Sequence, residues 1–186
     1  MAHRRLKLSL SAGESLPTSL NWMIEAGYVV LISWNDEESP ATLGIWGPGE
    51  LVIPSLPGGR CLQLLALSAV KVQEWTPSAE ERQQVLSQQV LQLVKLLELS
   101  RIRRAEVRLY SLLLWLGERF GRVSKQGVCL SFNAMNLTHR NLAEITGMTR
   151  VTVTKSLIRF RQEGWLSKQG HDELLQRKDT ANSASG

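Results

Sequence analysis

Arg150, Val151, Thr152, Thr154 and Lys155 have the types and spacing to read a nucleic-acid surface. Taken as the start of an α-helix capped by Thr149, the stretch turns Val153, Leu157 and Phe160 inward, at i, i+4 and i+7. Arg150, Val151, Thr154 and Lys155 then face outward near the first turn. A guanidinium donates two parallel hydrogen bonds to a guanine edge, and a valine side chain packs on a thymine methyl. Thr149, Thr152 and Lys155 reach phosphates or further bases. This is recognition chemistry. Catalysis needs a different set, and His3, His139 and His171 stand in no paired acid–nucleophile arrangement. Asp36, Glu37 and Glu38 run through a predicted turn, the ordinary place for solvated charge. No enzyme is expected.

The elements that must position this face are legible around it. Thr138 caps a short helix running to about Thr146, and Ala143 is small where two helices would cross. Gly147 falls four residues later, where a tight turn needs a positive φ. The second helix spans about 150–162. Residues 164–170 and 173–176 then read as two short strands around a turn, a wing whose Lys168 and His171 reach backbone phosphates. An ordinary helical hairpin with a solvated basic face would show any one of these features. Two caps, an amphipathic second helix and a basic outer face together predict a winged helix-turn-helix.

The bulk composition agrees. The chain has 186 residues, 43% of them hydrophobic, enough for one or two small cores. Its net charge of +5 favours a polyanionic partner through counterion release. Cys61 and Cys129 have no CxxC spacing and are expected as free, buried thiols, with no metal. The start, Met1-Ala-His-Arg-Arg, leads into alternating residues without a signal-peptide block. Residues 90–99 are too short and too polar to span a bilayer. A cytoplasmic protein with no membrane partner is expected.

The chain changes character near residue 76. Before it, short apolar runs (6–10, 21–25, 28–34, 42–46, 51–53, 61–67 and 70–75) alternate with turn residues, the rhythm of a small antiparallel barrel or sandwich. Residues 35–40 read as a hairpin turn. Ser78 then caps a helix predicted over about 79–101, with Glu80 and Glu81 at its positive end. Leu86, Val90, Leu93 and Leu97 recur at four, three and four residues, and Val94 widens the stripe. One edge is expected to pack on the barrel and the other on a second copy, giving a dimer interface of Leu86, Val90, Leu93, Val94 and Leu97. The basic residues at 101–104 mark a boundary. A helix over 105–120, apolar nearly all round, suits a core, and Gly121 ends it. The predicted division is 1–101, 102–178 and a disordered tail, 179–186.

In this order of parts the sequence resembles the cyclic-AMP receptor protein/FNR family of bacterial regulators over nearly its full length. The segment 149–155 is most similar to the recognition helix of the cyanobacterial global nitrogen regulator branch. The resemblance implies an α+β fold: a cyclic-nucleotide-binding-like β-roll, a long dimerisation helix and a winged helix-turn-helix. It implies a homodimer on a pseudo-palindromic operator in double-stranded DNA, with RNA polymerase as a further partner. The family's guanine-reading arginine falls on Arg150, and Thr138, His139 and Arg140 match positions that approach phosphates. Val151 replaces a glutamate common in the cyclic-AMP branch. Ser156 departs from a usually apolar position. Gly49, Glu50 and Leu51 resemble the start of the nucleotide cassette, but Arg60 is a degenerate remnant of its phosphate-binding Arg-Ser pair. Cyclic AMP is therefore not expected, and the effector is unknown. The rival reading is a protein-interaction module with a degenerate helix-turn-helix, which would not need Arg150 or Lys155.

Overall fold

The computed structural model describes the backbone of residues 5–35, 38–55 and 61–177. Two antiparallel sheets form the N-terminal roll. One has the order β1 (Lys7–Leu10), β8 (Val70–Glu74), β3 (Trp22–Ala26), β6 (Leu51–Val52); the other runs β2 (Ser15–Leu16), β7 (Cys61–Ala66), β4 (Val29–Asn35), β5 (Glu38–Trp46). Strand alternation explains how one strand serves two cores. Val29 and Leu31 of β4 point between the sheets, onto Trp22, Ile24, Leu64 and Val72. Val30 and Ile32, one residue out of phase, join Ile45 and Leu67 on the opposite face and pack with the helices that follow. The turn between β3 and β4 requires Gly27: its φ is +79°, and an added Cβ would lie 2.0 Å from the Ala69 carbonyl oxygen.

Helix α1 (Ala79–Arg101) starts in a capping box. The Ser78 hydroxyl accepts from Glu81 N–H, while the Glu81 carboxylate accepts from Ser78 N–H and is held below the ordinary carboxylate range, chiefly by that backbone bond. Its inward face is Val85, Gln92, Leu96 and Leu99. Two glutamines on this helix pair with the roll. The Gln92 carbonyl accepts from Ile45 N–H on the edge strand β5. Gln89 accepts from Ile53 N–H at 2.8 Å and donates to Ile53 O at 3.1 Å, just beyond the edge strand β6. Side-chain amides thus satisfy backbone groups that a further strand would otherwise take.

Helix α2 (Ala105–Phe120) follows, then β9 (Arg122–Val123), β10 (Gly127–Leu130), α3 (His139–Thr146), α4 (Arg150–Gln162), β11 (Leu166–Gln169) and β12 (Asp172–Gln176). The last four strands form a sheet ordered β11-β12-β10-β9. Arg108 secures the break between α1 and α2: its guanidinium donates to Ile102 O at 2.8 and 2.9 Å and to Thr146 O at 3.1 Å. The core around α2 holds Leu109, Leu112, Leu113 and Leu116 together with Val153, Leu157 and Phe160 of α4. It is continuous with Val30, Ile32 and Ile45 of the roll.

Several expectations change. Residues 38–40 of the predicted hairpin turn at 35–40 belong to β5, which begins at Glu38, and Asn35 ends β4. Glu38 therefore belongs to a strand, while Asp36 and Glu37 lie outside the described residues. Cys129 is buried, but Cys61 is exposed, since it opens β7 beyond the packed part of that strand. Helix α2 is not covered all round: Val107 is exposed, and Leu114 and Trp115 are half-buried. Strands β2, β9 and β10 add to the strands expected from the sequence. The tail 179–186 lies outside the described residues. No helix among the described residues is long and apolar enough to cross a membrane.

Candidate nucleic-acid interface

Local chemistry builds the helix pair. Thr138 Oγ1 accepts from Asn141 N–H at 3.1 Å and starts α3, and Thr149 Oγ1 accepts from Thr152 N–H at 3.1 Å and starts α4. Gly147 turns the chain between them in the left-handed region, φ 65° and ψ 31°, donating to Ala143 O. Val153, Leu157 and Phe160 are at most 1% exposed, and Ser156 shares their buried face. Phe160 stacks near Trp165 at 5.6 Å between ring centroids, and Tyr110 meets Phe160 edge-on at 6.2 Å. These contacts fix the angle at which α4 leaves the core.

The opposite side of α4 is open. Arg150 and Lys155 are exposed, and among the described residues neither makes an ion pair. The other arginines of α4 are engaged. Arg159 binds Glu106 at 3.0 Å and Glu163 at 2.6 Å, and Arg161 binds Glu173 at 2.8 Å. Val151 is 62% exposed in the first turn, where the fold gives it nothing to pack on. Neither α3 nor α4 has an acid in its first turn. Both positive helix ends are thus left without an internal counter-charge and suit an external anion.

The remaining predicted contacts are spread around this face. Thr152 is half-buried, its hydroxyl 2.8 Å from Thr149 Oγ1. Thr154 Oγ1 donates to Arg150 O at 2.9 Å and lies 2.8 Å from His139 Nδ1. Arg140 is exposed and paired with Glu144 at 2.9 Å. Lys168 stands exposed on β11, opposite Glu173 of β12, with His171 exposed at the wing turn.

The predicted effector residues are arranged differently from a vacant ribose cradle. Glu50 is engaged by Arg119, a residue of α2 that the sequence did not single out. The guanidinium donates to the carboxylate at 2.9, 3.0 and 3.1 Å, and the carboxylate also accepts from Gly47 N–H at 2.8 Å. Arg119 lies over the Phe120 ring at 4.8 Å and the Trp115 ring at 5.4 Å. Phe120 meets Tyr28 edge-on at 5.4 Å, and burial, with Glu50 adding to it, pushes the Tyr28 phenol above its usual range. Gly49 makes the turn before Glu50 at φ 85°, and Leu51 is half-buried in β6. With Gln92 and Arg119 these residues line a cavity of about 170 Å³. Arg60 lies outside the described residues. Glu50 and Arg119 are 22–31% exposed, so solvent weakens the pair without removing its value. Arg119→Ala is expected to lower unfolding free energy by about 1–2 kcal/mol in a denaturant titration; an unchanged midpoint would show the joint to be energetically idle.

On α1, Val90, Leu93, Val94 and Leu97 are 43–58% exposed, and Leu91 is 69% exposed. Leu86 instead packs, half-buried, against Ile53, Trp75 and Val85. Among the described residues no group of His, Cys, Asp or Glu could hold a metal ion.

Comparison with known proteins places this arrangement. Residues 107–179 match the Crp-like helix-turn-helix domain family. The regulatory protein CysR of Synechococcus elongatus is 36% identical over 167 residues, spanning 89% of this chain and 81% of that protein. FixK2 of Bradyrhizobium japonicum superimposes with a TM-score of 0.74 at 14% identity, covering 94% of each chain. A CRP/FNR-family transcriptional regulator of Thermus thermophilus gives 0.66 at 22% identity, covering 92% of this chain and 94% of its own.

Proposed function

Since the chain belongs to the Crp/FNR family of DNA-binding transcription regulators, we propose that it acts as a homodimer on a pseudo-palindromic operator, with α4 in the major groove. The observation that carries this reading is the first turn of α4. A capped helix there presents an exposed Arg150, without an ion pair among the described residues, beside an exposed Val151. Arg150 reads guanine, Val151 meets the adjacent thymine methyl, and Thr152, Thr154 and Lys155 extend the contact. Thr138, His139 and Arg140 at the start of α3, with Thr149 and Lys168, take the flanking phosphates. Residues 1–101 form the sensor and dimerisation part, and 102–178 the DNA-binding part. The protein works in the cytoplasm, and RNA polymerase is a further partner.

The operator follows from side-chain chemistry. Val151 has no acceptor for a cytosine amine, so the half-site is closer to GTA than to GTGA, as in the cyanobacterial nitrogen branch. In vitro selection of bound DNA tests this. Enrichment of GTA-containing half-sites about one helical turn apart is the expected result, and recovery of GTGA half-sites would refute it. Running the selection with and without cell metabolites also tests for an effector. Cyclic AMP is not expected as one, because the Glu50 carboxylate is already held by Arg119.

A further inference from the structure

The contact between α3 and α4 fixes which ring nitrogen of His139 carries hydrogen. Thr154 Oγ1 is 2.9 Å from the Arg150 carbonyl oxygen and 2.8 Å from His139 Nδ1. A carbonyl oxygen only accepts, so the single hydroxyl hydrogen of Thr154 is committed to Arg150. Only lone pairs of Thr154 remain for the ring, and His139 Nδ1 must be the donor. In the neutral imidazole Nε2 is then a bare acceptor. His139 is the first residue of α3, beside the Thr138 cap and in a first turn without an acid. An acceptor nitrogen facing a phosphate oxygen is repulsive, whereas the imidazolium offers Nε2–H and a positive charge.

Building on the DNA-binding reading above, we infer that His139 grips a DNA phosphate as the imidazolium, so that binding is linked to proton uptake at each half-site. The neutral ring has one way around this. Moving its hydrogen to Nε2 would leave Nδ1 facing the Thr154 lone pairs, unless Thr154 releases the Arg150 carbonyl at the start of the recognition helix. Proton uptake is therefore tied to the positioning of Arg150.

Helices α4 and α2 and strand β5 pack on α3 and carry the following charges. The ring's own helix carries Arg140 and Glu144, paired with each other. Helix α4 brings Arg150 and Lys155, with Arg159 and Arg161 paired to Glu106 and Glu173, and α2 brings Arg108, engaged at Thr146 O, with Glu118 and Arg119 paired to Arg177 and Glu50. Strand β5 has no charged residue from 39 to 46. The acid on these elements nearest in sequence, Glu144, is thus already matched, and the phosphate is the added anion. Because the bound state favours the protonated ring, the affinity gain is complete below the pH at which His139 protonates in the free protein. It is lost as pH rises through the titration in the complex.

Two measurements test this on the full chain. The first is ¹⁵N–¹H correlation of the His139 ring in the free protein at high pH. Hydrogen on Nδ1 is the expected result, and hydrogen on Nε2 overturns the inference. The second is operator affinity by fluorescence anisotropy at constant ionic strength. From about pH 6 to about pH 8.5, binding should weaken roughly tenfold per half-site, the size of a one-unit shift caused by an adjacent opposite charge. His139→Gln should remove that part of the slope. Thr154→Ser should keep it, and Thr154→Val, which lets the neutral ring carry hydrogen on Nε2, should flatten it. Equal slopes for wild type and His139→Gln overturn the inference while specific binding itself stands. A chain with no sequence-specific binding at any pH overturns both.

Discussion

Replacing Arg150 with alanine is expected to abolish sequence-specific DNA binding while leaving the fold untouched. Its side chain is exposed, and among the described residues it supports no ion pair. The cap at Thr149 and the buried face of Val153, Leu157 and Phe160 do not depend on it. A bidentate arginine–guanine contact discriminates by about 1–3 kcal/mol, and a dimer makes it twice. The loss should therefore be about 2–6 kcal/mol, roughly thirtyfold to more than ten-thousandfold in affinity for the selected operator. Gel shifts over a salt series check this, because non-specific phosphate binding should survive and keep its salt dependence. A protein-interaction module would be indifferent to the change. Unchanged specific binding would therefore sink Arg150 as the guanine reader, whereas a protein-interaction module would show no sequence-specific DNA binding even before the change.

The second large effect is expected on α1. Val90 and Leu97, 58% and 56% exposed, lie on an exposed stripe with Leu93 and Val94, while Leu86, a turn earlier, packs on the roll and drops out of the predicted interface. Single exposed apolar residues are ordinary, but a helical stripe of them needs a partner. In a two-fold dimer each seam residue lies close to the partner's seam. Val90→Glu with Leu97→Glu would place carboxylates against apolar groups and against one another. The double variant should remain folded, because both positions are on the exposed face, and sedimentation should show a monomer. Affinity for a two-half-site operator should then fall toward that of a single half-site, about a hundredfold or more, as the second contact loses its effective concentration. A double variant that still sediments as a dimer would refute the α1 interface.

The readable parts of the sequence were those set by local spacing. Thr138, Gly147 and Thr149 mark the ends of α3 and α4 through bonds spanning three or four residues. The Ser78 box does the same for α1. The hidden parts depend on tertiary neighbours. Glu50 and Arg119 are 69 positions apart and nothing local to either announces the pairing. Gln92 sits buried because it serves a strand edge, which helical periodicity does not encode. The 35–40 segment looked like a turn because it is polar and contains Pro40. Yet β5 is an edge strand with an irregular register there, where a missing N–H is tolerated. Strands β9 and β10 are short. Their pairing, Val128 with Val123 and with Leu175, comes from the sheet they complete.

The two glutamines on α1 have a mechanical consequence. Gln89 and Gln92 engage the edges of two different sheets, like two teeth of a rack. A helix so engaged cannot slide along its axis or roll about it without stripping both contacts. Displacing α1 against the roll costs both contacts, so movement of the helix together with its sheets is the cheaper mode.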